Sequence, residues 1–200
     1  MKKIILLILF FCFIVNSNAC AQGFDPNIYT CRDFVQSYSN DSGSVALQTL
    51  WAWGFLTFKD ESLMSLNSDM LKSLTNELSE GCSQNLDASF IEFVRKYFTF
   101  KYVGSSKKGE NVAIFNPKRY TCKAFLSSLN SSDTTSDDLV GYALIWGLGY
   151  TAAYRPDDVD VVDDQSAGTL AGFMKNLVCK DPNESFYNSL HELYKKLEKR

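Results

Sequence analysis

Apolar residues recur along this chain at intervals of three and four, the period of helices that bury one face. Leu63, Leu66, Met70, Leu74 and Leu78 form one such stripe. Phe90, Val94 and Tyr97 form a second, widened by Ile91 and Phe98. Leu139, Ala143, Trp146, Tyr150 and Ala153 share a face, as do Phe186, Leu190, Leu193 and Leu197. Helix starts are marked by Ser68-Asp69, by Ser136-Asp137-Asp138 and by Pro182-Asn183-Glu184, each just before an apolar run. The pattern predicts an all-α protein. It breaks at residues 98–115, where the β-prone Phe98-Thr99-Phe100-Lys101-Tyr102-Val103 and the apolar Val112-Ala113-Ile114-Phe115 flank a Gly/Ser/Lys turn. A small hairpin and an extended linker both fit this segment.

The stripes fall into two sets because the chain repeats itself. Tyr29-Thr30-Cys31-Arg32-Asp33-Phe34-Val35 returns as Tyr120-Thr121-Cys122-Lys123-Ala124-Phe125-Leu126. Trp53-Gly54 follows Cys31 by 22 residues, and Trp146-Gly147 follows Cys122 by 24. Cys82 and Cys179 come 29 and 33 residues later again, and each precedes a Ser-Phe pair that opens a last helix. Each copy therefore reads as a short helix carrying the first Cys, a long central helix, a third ending at the second Cys, and a last helix. The expected organisation is a first repeat over 22–98, a linker over 99–117 and a second repeat over 118–200.

The first 21 residues belong to neither repeat. Lys2 and Lys3 precede an unbroken apolar run over residues 4–15, and small residues follow up to Ala21. This is the layout of a secretory signal peptide, and the run is too short for a membrane span of roughly 20 residues. Ala19-Cys20-Ala21 is an A-x-A site that puts the mature start at Gln22. Cleavage before Cys20 would give a lipoprotein, but Ser17 stands where such signals carry a Leu-like residue. The expectation is an exported chain with no membrane anchor after cleavage.

Export changes the meaning of the cysteines. Cys12 and Cys20 leave with the signal, so Cys31, Cys82, Cys122 and Cys179 remain. An even number on an exported chain predicts disulfides. The pairing that respects the duplication is Cys31–Cys82 and Cys122–Cys179. The widely spaced pairs lack the C-x-x-C spacing of zinc sites.

Processing leaves 18 Lys and Arg against 23 Asp and Glu, or −5 with His neutral. No basic excess remains for nucleic acid. Candidate chemistry is sparse. There is no G-x-S-x-G elbow, H-E-x-x-H pair or phosphate-binding Gly loop, and no enzyme, cofactor or metal site is expected. The one histidine, His191, lies off the apolar stripe of its helix and reads as solvated. Asp157, Asp158, Asp160, Asp163 and Asp164 form the most charged segment. Val162 falls where an EF-hand requires an acidic ligand, so calcium is not expected. Clustered carboxylates raise one another's pKa, which makes these residues candidate acid sensors. Gly147 and Gly149 each cost a helix about 1 kcal/mol relative to Ala, so close packing is expected there, and at Gly54.

Thr-Cys-x-x-Phe-(Leu/Val), a central Trp/Gly/Tyr helix and a second Cys shortly before a last helix resemble the HdeA/HdeB family. The second copy carries Trp146-Gly147-Leu148-Gly149-Tyr150 and Cys179-Lys180-Asp181-Pro182; the first has Gly81-Cys82-Ser83-Gln84-Asn85 where the other has Cys-x-x-Pro. The resemblance implies small, all-α, disulfide-stapled periplasmic proteins whose best-known members are acid-stress chaperones. These are ATP-independent, folded and inactive at neutral pH, and in acid hold unfolding clients on exposed apolar surface. Two copies in one chain would form a pseudo-dimer. Protonating every carboxylate would take the mature chain from −5 to about +20. Trp51, Trp53, Phe55, Phe58, Trp146, Tyr150 and Tyr154 are the candidate client surface, and core residues while the protein is folded. The alternative is a periplasmic module that binds one protein partner at neutral pH, such as a toxin-neutralising immunity protein.

Overall fold

A computed structural model of the chain describes residues 23–102, 113–131, 134–155 and 159–198. The expected signal segment lies outside these residues, as do Asp157, Asp158 and the centre of the segment between the repeats. The described residues are helical, with pairing between extended segments limited to isolated bridges. In order the helices are α1 (Cys31–Asn40), α2 (Ser42–Lys59), α3 (Ser68–Ser83), α4 (Phe90–Glu92), α5 (Cys122–Ser128), α6 (Thr134–Tyr154), α7 (Asp164–Phe173) and α8 (Phe186–Glu198). A 3-10 turn, Glu61–Met64, joins α2 to α3. Single π turns, Phe93–Tyr97 and Met174–Val178, extend α4 and α7.

Local chemistry sets most of the helix ends. Thr30 caps α1 in a capping box: its Oγ1 accepts from Asp33 N, and Asp33 Oδ2 accepts from Thr30 N at 2.8 Å. Thr121 Oγ1 caps α5 by accepting from Ala124 N, without the return bond that Asp33 supplies in the first copy. Asp41 ends α1 and begins α2, accepting from Gly43 N and Ser44 N. Asn67 caps α3 through Met70 N, which is why that helix starts at Ser68. Leu63 and Leu66, at the head of the expected stripe, therefore lie in the 3-10 turn and at an isolated bridge, though both are still buried.

The stripe of α4 also differs from expectation. Phe98 N donates to Phe93 O, five residues back, so the turn is wider than an α-turn. Phe90, Ile91 and Val94 stay buried, but Tyr97 swings out to 69% exposure.

The two disulfides are Cys31–Cys82 and Cys122–Cys179, the pairing that the repeat predicts. They close loops with sequence separations of 51 and 57. Chain-entropy reasoning gives each a contribution of roughly 4 kcal/mol. The surroundings match. Thr30 bridges Ser89 and Thr121 bridges Ser185, while Phe34 stacks on Phe90 and Phe125 meets Phe186 edge-on.

Contacts between the first and second halves of the chain are reciprocal. Phe24 forms an antiparallel bridge with Val162, just before α7; Phe115 forms one with Leu66, just before α3. Asn27 Nδ2 donates to Val159 O, and Lys118, three residues after Phe115 as Asn27 is after Phe24, reaches Glu61. These equivalences expose a longer repeated phrase, Phe-(Asp/Asn)-Pro-x-x-Tyr-Thr-Cys, beginning at Phe24 and Phe115. Ile114 N also donates to Leu66 O. The chain just before the second phrase therefore pairs with the α2–α3 connection. Phe98, Phe100 and Tyr102, across the undescribed centre, stack on one another instead.

At the centre of the molecule α2 packs along α6. A Cβ placed on Gly54 would lie 2.2 Å from Trp146 O, and one on Gly149 would lie 2.0 Å from Trp51 O. Contacts of 54 with 146 and of 51 with 149 mean that the helices run in opposite directions through this point. Only glycine lets the two backbones approach so closely. The contacts also correct the register read from the sequence: Trp51 and Gly54 act as Trp146 and Gly149 do, while Gly147 faces Leu170 and Phe186 side chains. Buried residues from both halves form one continuous core.

Candidate functional site

The α2–α6 contact gathers the aromatic residues proposed as client surface. Trp51, Trp53, Phe55, Trp146 and Tyr150 are buried there. Trp53 and Trp146 ring centres lie 6.4 Å apart, and Trp146 stacks on Tyr150 at 5.0 Å. Trp53 Nε1 donates to Leu63 O at 2.7 Å, and Trp146 Nε1 donates to Thr57 Oγ1 at 2.9 Å, so these indoles are buried with their N–H groups paired. Phe58, 39% exposed, and half-buried Tyr154 form the rim; Phe58 lies 5.5 Å from both Tyr150 and Tyr154. In the folded protein this set is interior with a small exposed edge.

Beside that edge lies a polar chain that sequence patterns do not mark. Glu61, in the turn after α2, accepts from Tyr187 OH at 2.7 Å and pairs with Lys118. Tyr187 stacks on His191, one turn further along α8, with ring centres 5.3 Å apart. His191 Nδ1 and Tyr150 OH are 2.5 Å apart and share a hydrogen bond. The expectation of a solvated His191 is thus corrected. The residue lies off the apolar stripe, but the groove between α6 and α8 half-buries it against two tyrosines. Further along the groove, Tyr194 OH lies 2.9 Å from Thr151 Oγ1, and its ring lies 5.0 Å from Tyr154.

The electrostatics follow from this geometry. Hydrogen bonds from Lys118 and then Tyr187, with the charges of Lys118 and His191, hold the Glu61 carboxyl below its ordinary pKa against a small burial cost. Burial, then the hydrogen bond to Glu61 and its charge, pushes the Tyr187 phenol up to about 12. Burial, with Tyr187 and the Glu61 charge nearby, raises the Tyr150 phenol further. Glu61 comes from the first half, and Lys118, Tyr187, Tyr150 and His191 from the second. The cluster is a clasp across the two halves whose carboxylate must stay ionised to hold its ammonium partner.

The acidic segment has a different part. Asp160 is exposed, and Asp163 is the N-cap of α7, accepting from Ser166 N at 2.7 Å. Asp164 sits in the first turn, where a carboxylate favours the helix dipole. Among the described residues no group of three or more His, Cys, Asp or Glu could hold a metal ion, and no helix is long and apolar enough to cross a membrane. Comparisons with protein families, with curated proteins and with solved structures found no match to this chain.

Proposed function

We propose that this chain is an exported, periplasmic, tandem HdeA-like protein that works as an ATP-independent holdase in acid. Its two disulfide-stapled units form a pseudo-dimer within one polypeptide. The observation that carries this reading is the reciprocal contact between the halves. Each half sets a glycine against the other's tryptophan carbonyl and pairs its Phe-(Asp/Asn)-Pro segment with the other's helix connection. A two-fold dimer of single units would use such self-complementary surfaces.

Acid acts on this contact in two ways. Protonating Glu61 removes the partner of Lys118, and protonating the remaining carboxylates leaves the mature chain at about +20, so the halves repel. The groups facing Glu61 are Lys118 before α5 and Tyr187 and His191 on α8, with Tyr150 of α6 next to them. None of these supplies a negative charge in acid. Separation of α2 from α6 uncovers Trp51, Trp53, Phe55 and Trp146, while Cys31–Cys82 and Cys122–Cys179 keep each half from unravelling.

The test is aggregation of a client protein at roughly pH 2–3, below the carboxylate range, with and without this chain, alongside binding of an apolar dye. Suppressed aggregation with dye binding that appears only in acid supports the proposal. Unchanged aggregation and no acid-induced dye binding would sink it. Capture of one stoichiometric partner at pH 7 would instead favour the neutral-pH binding module.

A further inference from the structure

The two sides of the α2–α6 contact are equivalent in position but not in chemistry. Gly54 meets Trp146 and Gly149 meets Trp51, so a pseudo-two-fold relates α2 to α6. The ring partners obey it. Trp51 lies against Phe55, one turn on, and Phe90 of the last helix in its half; Trp146 lies against Tyr150 and Phe186 in the same way.

Hydrogen bonding breaks the relation. Thr57 Oγ1, three residues after Gly54, accepts from Trp146 Nε1 at 2.9 Å and donates to Gly54 O at 2.7 Å. The residue three after Gly149 is Ala152, which is buried and has no hydroxyl. Trp51 is fully buried, and its Nε1 has no hydrogen-bond partner. An indole N–H buried without an acceptor has lost its water and gained nothing in exchange. Burial of Trp51 against α6 is therefore held less firmly than burial of Trp146 against α2.

The imbalance extends outward from the two indoles. Tyr187, just after Phe186, donates to Glu61 of the other half; its counterpart after Phe90 is Ile91, which has no side-chain donor. Phe58, just after Thr57, meets Tyr150 and Tyr154 edge-on; its counterpart after Ala152 is Ala153, which has no ring. The Lys118–Glu61 ion pair lies on the Trp146 side, and a hydrogen bond from Asn27 to Val159 O takes its place on the other.

We propose that the seam between the halves is a hinge, which opens along Trp51 and pivots on the Trp146–Thr57 bond. The first aromatic face to be uncovered is that of the first half, Trp51 with Phe55 and Phe90. Trp51, Trp146, Thr57 and Ala152 do not titrate, so the hinge is built into the fold at neutral pH. It deepens the holdase reading, and rests on that reading only for what the uncovered face binds.

The experiment is hydrogen exchange of the indole N–H groups at pH 7, followed by NMR on the processed, oxidised full chain. The three tryptophans are assigned by single Trp→Phe variants. The Trp51 N–H should exchange before that of Trp146. Ala152→Thr supplies the missing acceptor and should slow Trp51 exchange about tenfold; Ala152→Ser supplies it with less bulk. Ala152→Val matches the size of Thr without the hydroxyl and should not reproduce the slowing. Thr57→Ala should bring Trp146 exchange up to that of Trp51. Equal exchange of Trp51 and Trp146 in the unaltered chain would overturn the hinge. So would Trp51 exchange that neither Thr nor Ser slows, or that Val slows as much. Neither acid nor a client enters the measurement, so its failure is separate from failure of the aggregation assay.

Discussion

Gly149 lies directly against the Trp51 carbonyl oxygen, at a distance where an added Cβ would be 2.0 Å away. The obstacle is the backbone of the facing helix, which a rotamer change cannot move aside. Gly149→Ala and Gly54→Ala should therefore force α2 and α6 apart, costing about 1–3 kcal/mol as overpacking does. Gly141, also on α6, has nothing within 4 Å of the corresponding position. Gly141→Ala should stabilise by about 0.4–1 kcal/mol. Urea denaturation of the three variants separates contact from helix propensity, and equal effects at Gly141 and Gly149 would contradict the close approach.

Glu61→Gln should flatten the acid limb of the stability curve. The folded pKa of Glu61 lies below its ordinary value, so its contribution is present above the unfolded pKa and is lost as pH falls through the folded one. Wild type and variant should thus differ at pH 7 and converge below the carboxylate range. Denaturant midpoints measured across pH 2–7, a range bracketing the roughly 4.3 of a free glutamate, check this. A difference of constant size down to the lowest pH would show that Glu61 acts through packing alone.

Tyr187 works in the opposite direction. Its folded pKa is raised to about 12, so its contribution is complete below the unfolded value near 10 and is lost as pH rises through the folded one. In a spectrophotometric alkaline titration, wild type should show a phenol ionising about two units late. Tyr187→Phe should lack that phase and lose part of the pH 7 stability through the unpaired Glu61 oxygen.

Replacing Cys31 and Cys82 by Ser should cost roughly 4 kcal/mol, and the same should hold for Cys122 and Cys179. If the two halves share one cooperative unit, as their common core implies, either pair of substitutions lowers a single unfolding midpoint. Two separate transitions would show that each half unfolds alone.

Legibility differed from residue to residue for physical reasons. The disulfide pairing could be read because the repeated phrase records which cysteines belong to one unit. Tyr97 could not: a single π turn rotates the rest of the stripe, and the apolar spacing carries no mark of it. His191 looked solvated because periodicity describes one helix at a time and does not see Tyr150 on its neighbour. The register error at Trp53-Gly54 has the same origin. In a segment that reads Trp-Ala-Trp-Gly, only the facing backbone distinguishes Trp51 from Trp53.

The sequence alone determined the helical class, the four-segment order of each half and the cysteine partners, because short-range spacing and an internal copy encode them. Tertiary structure decided that Phe24 pairs with Val162 and Phe115 with Leu66, that two glycines seat the central helices, and that Glu61 meets Lys118 and Tyr187. These contacts join residues 49 to 138 positions apart, or depend on which way one helix faces another, so no local pattern constrains them.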